Sequence, residues 1–242
     1  MQITDPEIGA FVATLARAGG LVASAPVVGD NGVPPRAKLV FVLVIAFTVG
    51  PNRPGIPLAD VGFTAIVELC VGLLTGLCAR FIMQRAAVAG QLFGLTLGLG
   101  FASQYDIHAG ESAGTMRSIV MTIAGLIFLA VGGLEAIVHS ATSAPASILH
   151  VGMLGPALLE HGTSAMGNGL ALAAPIILAT LVGNIGFALI SRAAPAANIF
   201  SIALAGVLVI GGLALVATSG DLVAGLTADA RQAITVLTGG GS

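Results

Sequence analysis

The chain has 242 residues, of which 56% are apolar and 8% charged, against about 25% charged in an ordinary soluble domain. With a mean hydropathy of +1.03 it is a membrane-class sequence. The formal net charge of −2 is spread along the chain, and Lys38 is the one lysine beside eight arginines. No basic run therefore points to nucleic acid or anionic lipid.

The first apolar run, from Ile8 to Val22, ends at Ala23-Ser24-Ala25 and so imitates a signal peptide. Asp5 and Glu7 precede it where a signal would carry positive charge, and Arg17 interrupts it. These features make it a retained first membrane helix. Proline and charge clusters then separate apolar segments at about 8–24, 37–50, 58–79, 86–102, 118–139, 169–191 and 198–218. The pattern predicts an all-α chain of six or seven hydrophobic helices, some broken or hairpin-like. A span needs about 20 apolar residues, so 37–50 is short and reads as a half-span or a helix packed on protein. Gly239-Gly240-Gly241-Ser242 reads as a linker scar outside the fold.

Cys70 and Cys78 fall in one predicted helix, roughly 12 Å apart along its axis, too far for a disulfide. Their spacing fits no zinc pattern, and no metal or cofactor is expected. Counting Arg36, Lys38, Arg80, Arg85 and Arg231 against Arg53, Arg117 and Arg192 leaves the membrane orientation open. The sequence has no Trp and one Tyr, Tyr105. The missing aromatic belts favour helices buried against other protein.

Gly90, Gly94 and Gly98 form a GxxxGxxxG series that predicts close helix packing. For Gly72 and Gly76, packing and chance both stay open.

Residues 100–116 form a polar, glycine-punctuated strip between two apolar runs, with three readings: a catalytic loop, a ligand site or a moving piece of backbone. Gly110-Glu111-Ser112-Ala113-Gly114 fits the G-x-S-x-G elbow of serine hydrolases, and Glu135, His139, His150 and His161 follow it. No β-branched strand precedes it, as that elbow requires. Asp106, His108 and Glu111 lack a metal-ligand spacing. Glu68 and Glu135 read as buried carboxylates inside apolar segments, and Arg17 is similarly placed. Ion pairing and pore lining are both open for them.

Beyond these features, Arg17, Ala25-Pro26 and Val33-Pro34-Pro35-Arg36-Ala37-Lys38 resemble the opening of the FliR family. So do residues 93–102, running into a loop with Asp106, then Arg117, and residues 191–200, which include Arg192 and Pro195. The resemblance covers nearly the whole chain in order. Thr96, Leu97, Ile107, Gly132-Gly133-Leu134 and Ser191 depart from the family pattern.

The resemblance implies a non-enzymatic subunit of the flagellar type III export gate, akin to the SpaR and EscT subunits of injectisomes. One copy would assemble with FliP-like and FliQ-like subunits in the bacterial inner membrane, at the flagellar basal body ring, near FlhB-like and FlhA-like proteins. Unfolded flagellar proteins would pass through the closed channel they form. Residues 1–238 would be one export-gate domain, with 1–165 FliP-like and 166–238 a FliQ-like hairpin. The family motif charges would be Arg17, Arg36, Lys38, Arg117 and Arg192. The pore plug would comprise Phe101, Ala102, Ser103, Gln104, Tyr105, Asp106, Ile107, His108, Gly110, Gly114 and Met116. Polar backbone at membrane depth survives where it lines a cavity or is buried in protein, and glycines at the loop's end allow motion. Three other functions compete: the equivalent subunit of a virulence injectisome, whose family shares these motifs; a secondary transporter carrying protons on Glu68 and Glu135, which lacks the expected internal repeat; and a hydrolase built on Ser112.

Overall fold

The computed structural model describes residues 5–30, 32–50, 53–57, 59–98, 114–143, 148–193 and 199–239. Among them are eight helices and no strand: α1 (Asp5–Ser24), α2 (Pro35–Val49), α3 (Val61–Thr96), α4 (Thr115–Ala130), α5 (Gly133–Thr142), α6 (Ile148–Ala193), α7 (Ile199–Ala217) and α8 (Ser219–Thr238). The all-α, membrane-type fold expected from hydropathy is the fold observed. Helices α1, α3 and α6 contain stretches long and apolar enough to cross a bilayer, and the bent pairs α4–α5 and α7–α8 raise the total to five. The chain divides into two compact units. The first comprises Met1–Met83, Ile127–Ser164 and Asp229–Ser242; the second comprises Gln84–Leu126 and Ala165–Ala228.

In the first unit, Asp5 and Glu7 stand in the first turn of α1, where the helix dipole favours negative charge. The buried stripe of α1 is Ala10, Ala13, Thr14, Arg17, Ala18 and Leu21, the three-and-four spacing of one helix face. Small residues bring this face close to α3. A Cβ on Gly20 would lie 2.6 Å from the Leu69 carbonyl oxygen, one on Gly72 would collide with the Arg17 carbonyl, and one on Gly76 with Ser24 Oγ. Gly9 meets Val61, so α1 runs parallel to the first part of α3. The Gly72/Gly76 pair is thus a true crossing.

Helix α2 begins at Pro35 behind Pro34, whose fixed φ suits a first turn. Its 15 residues rise about 22 Å, short of a bilayer core, as expected. It buries Ile45 and Ala46 and sets Phe47 against Phe11 of α1, ring centroids 5.0 Å apart.

Helix α3 corrects one boundary: the segments expected at 58–79 and 86–102 are a single 36-residue helix. Arg80, Gln84 and Arg85 interrupt the apolar run, but they are good helix formers and no Gly or Pro lies among them. The glycine series also divides by role. In the second unit, Gly90 approaches α4, where a Cβ would lie 2.8 Å from Arg117 Cα, and Gly94 faces Met116. Gly98 instead ends α3, with φ +73° and its N–H donating to the Leu95 carbonyl.

The segment expected at 118–139 is two helices, α4 and α5, bent by 61°. Gly132 makes the bend at φ +94°, and Gly133 admits the Phe128 ring so closely that a Cβ would collide with it. Gly132→Ala is expected to cost about 1–2 kcal/mol, because an L side chain is strained in left-handed backbone; a thermal melt of the detergent-solubilised protein checks this.

Helix α6 starts at Ile148, far before the expected 169. Glu160, His161 and Pro156 dilute its hydropathy there without breaking the helix. In the second unit it meets α3 at Gly169, where a Cβ would lie 2.6 Å from Val88. Beside it Arg85 donates to the Asn168 amide oxygen at 3.2 Å. Helix α8 was outside the expected segments because Asp221, Asp229 and Arg231 lower its hydropathy, yet it buries Leu226, Ala230, Ala233 and Leu237 at helical spacing.

Candidate functional site

The best-defined polar site lies inside the first unit. Glu68 of α3 is fully buried; its carboxylate pairs with Nε of Arg17, whose side chain is 4% exposed, and stands 3.5 Å from Nη1 of Arg53, 5% exposed. Arg53 comes from the proline-rich connection between α2 and α3. Both guanidiniums then reach the C-terminal end of α5. Arg17 Nη1 donates to the Ser143 carbonyl at 3.0 Å and to Ser143 Oγ at 3.3 Å. Arg53 Nη2 donates to the Ala141 carbonyl at 3.2 Å and to the Ser143 carbonyl. Ser143 Oγ in turn donates to the Ser140 carbonyl at 2.6 Å.

The electrostatics of this node follow from its parts. Two cations face one carboxylate, and the excess positive charge is met by carbonyls at a helix C-terminus, the negative end of the dipole. Burial pushes the Arg53 guanidinium below its ordinary value, while Glu68 pulls the other way. The node ties α1, the α2–α3 connection, α3 and α5 into one body. Of the two functions open for Glu68 and Arg17, the observed one is pairing.

The other expected residues are placed as follows. Glu135, expected to be buried, is exposed on this chain, in the first turn of α5 where the dipole favours it. The apolar run around it belongs to one face of a short amphipathic helix, so its hydropathy did not report burial. Arg36 and Arg192 are exposed and Arg117 is half-buried; Lys38 donates from Nζ to the Gly29 carbonyl at 2.9 Å. Phe101, Ala102, Ser103, Gln104, Tyr105, Asp106, Ile107, His108 and Gly110 lie outside the described residues, as do Glu111 and Ser112. The flanks of that strip are described, both in the second unit. Leu97 is buried and packs against Gly211 of α7, and Met116, just after Gly114, rests on Gly90 and Gly94 of α3. Among the described residues no group of His, Cys, Asp and Glu could hold a metal ion.

Arg53 is the member that sequence reasoning missed. Pro51-Asn52-Arg53-Pro54-Gly55 reads as a solvent-exposed turn, and its one signal is a lone cation between two apolar segments.

The chain that builds this body of apolar helices around buried charge matches, over residues 8–232, the sequence model of bacterial export proteins, family 1. The flagellar biosynthetic protein FliR of Caulobacter vibrioides is 31% identical over 86% of this chain and 88% of its own length. FliR of Escherichia coli is 28% identical over 84% and 82%, and FliR of Pectobacterium carotovorum 29% over 74% and 72%. The chain belongs to the FliR family of bacterial export proteins.

Proposed function

We propose that this protein is a membrane-embedded component of the flagellar protein-export apparatus, and that it forms a closed export gate with FliP-like and FliQ-like subunits in the inner membrane. Residues 1–165 would take the FliP-like place and 166–238 the FliQ-like one. The observation that carries this reading, beyond family membership, is the amount of large apolar side chain left uncovered. On α6 alone, Leu149, Met153, Leu159, Met166, Val182 and Leu189 are each more than 60% exposed, far more than a monomer in water leaves open. Helices of this kind are completed by lipid or by neighbouring helices, and the scarcity of interfacial aromatics favours neighbours.

Residues 100–116 are proposed as the plug. The two described flanks, Leu97 and Met116, are each packed against a neighbouring helix, as the anchors of a gating segment need to be. Deleting 103–114 is expected to make cells expressing the gate leak small solutes, measured as conductance or dye uptake; unchanged permeability would contradict the plug. The transporter reading needs two carboxylates on one proton path, whereas Glu68 is enclosed with two guanidiniums and Glu135 is exposed.

A further inference from the structure

We propose that the outward face of α6 around Glu160, in the first unit, docks a helix of a sister subunit that carries one arginine or lysine inside an otherwise apolar face, and that Glu160 pairs with that cation. The 46 residues of α6 include one carboxylate, Glu160, and one arginine, Arg192. The two are about 48 Å apart along the axis, so neither serves the other. Glu160 is exposed, and among the described residues no cation pairs with it.

The first unit uses the opposite side of this stretch. Cys78 Sγ of α3 reaches the Leu154 carbonyl at 4.0 Å, and a Cβ on Gly162 would meet the Phe81 ring at 3.8 Å. Leu154 and Gly162 lie about 120° and 200° round the helix from Glu160, which therefore points away from α3.

On its own side Glu160 stands among large apolar groups. Leu149, Met153 and Leu159 are 76%, 69% and 71% exposed and share with it an arc of about 120°. A Cβ on Gly152, in the same arc, would meet none of the described residues within 4 Å, so another helix backbone has room to approach there. Apolar groups of this size are covered in the finished protein, and whatever covers them covers Glu160 as well. A carboxylate enclosed among apolar groups is strongly unfavourable unless a cation meets it. The same chain shows the remedy on its inside: Glu68, also set in an apolar helix, is fully buried and met by Arg17 and Arg53. The wall of a conduit would instead need polar neighbours, whereas Thr163 is the one other polar side chain on this arc from Leu149 to Thr163. A second copy of this chain does not fit either. A two-fold contact through the same face would bring Glu160 toward its own counterpart, like charge to like.

This inference rests on the gate reading, and its test separates the two. The full chain is co-expressed with FliP-like and FliQ-like proteins and purified in mild detergent through a tag on this chain, and the retained partners are measured by native mass spectrometry. Wild type should retain them. Glu160→Lys should lower retention about thirtyfold or more, and Glu160→Gln, which leaves the cation half-satisfied, about tenfold. The thermal melt of the chain alone should not move, since the side chain is exposed. Changing to Glu, one at a time, each Arg or Lys that is flanked by apolar residues on a partner helix should yield one reversal that restores retention of Glu160→Lys. Full retention by Glu160→Lys would overturn this inference and leave the gate reading in place, as would a lowered melt of the chain alone or the lack of any restoring reversal. A Glu160→Lys gate that assembles fully but has altered ion permeability would assign the residue to the conduit wall and overturn the docking. A wild-type preparation free of partners would overturn both readings.

Discussion

Glu68→Ala is expected to be the most damaging single substitution in the first unit, costing about 3–5 kcal/mol, the usual penalty for leaving a buried charge unpaired. Glu68 is fully buried, and its removal strands the side chains of Arg17 and Arg53, which are 4% and 5% exposed. The loss is large against the 5–15 kcal/mol of a typical domain. Thermal unfolding in detergent should fall sharply and the protein should cease to accumulate in membranes. Glu68→Gln, which keeps the shape and one acceptor, should lose less. Replacing all three groups by apolar residues, Arg17→Met with Arg53→Met and Glu68→Leu, should be milder than Glu68→Ala alone, because no charge is then left in the interior. A Glu68→Ala protein melting within a degree of wild type would show that the node is not what holds α1, α3 and α5 together.

Substitution at Gly72 is the second large effect. A Cβ there would overlap the Arg17 carbonyl, and at Gly20 one would lie 2.6 Å from the Leu69 carbonyl. Both obstacles are backbone, which cannot rotate away. Gly72→Ala should cost about 1–3 kcal/mol by overpacking, and Gly72→Leu more, since the side chain has nowhere to go between two helix backbones. The control is Gly19→Ala on the same α1, where nothing lies within 4 Å of the new Cβ. There the better helix propensity of alanine should give up to about 1 kcal/mol of added stability. The pair read by thermal melts separates close packing from a general intolerance of change in α1.

Much of this architecture was legible in the sequence because hydropathy and proline report the same thing that burial does. The all-helical class, the shortness of α2 and the unusual placement of Arg17 and Glu68 could all be read from residues alone. The errors have a common origin. Charge was taken as a sign of a helix end, although Arg80 and Arg85 lie within α3 and are accommodated by Asp30 and Asn168. Charge also lowered the hydropathy of α8 enough to keep it out of the expected segments, although its buried face is built from Leu226, Ala230, Ala233 and Leu237. An apolar flank was taken as burial at Glu135. Arg53 was hidden because a proline-bracketed arginine looks like a turn. Which partner a buried ion finds is a property of the fold: Glu68 lies 15 positions from Arg53 and Ser143 lies 126 from Arg17. The glycine patterns show the same limit. The spacing gave candidates, but only backbone geometry assigned Gly72 and Gly90 to crossings and Gly98 to a helix end.

The central claim is that the uncovered apolar faces of this chain are completed by sister subunits around a conduit. Native mass spectrometry of the chain, co-expressed with FliP-like and FliQ-like proteins and extracted in mild detergent, tests it most directly. The account predicts a single hetero-oligomer that contains one copy of this chain with several copies of each partner. A chain that appears alone under every extraction condition, its apolar helices covered by detergent and lipid only, would contradict it.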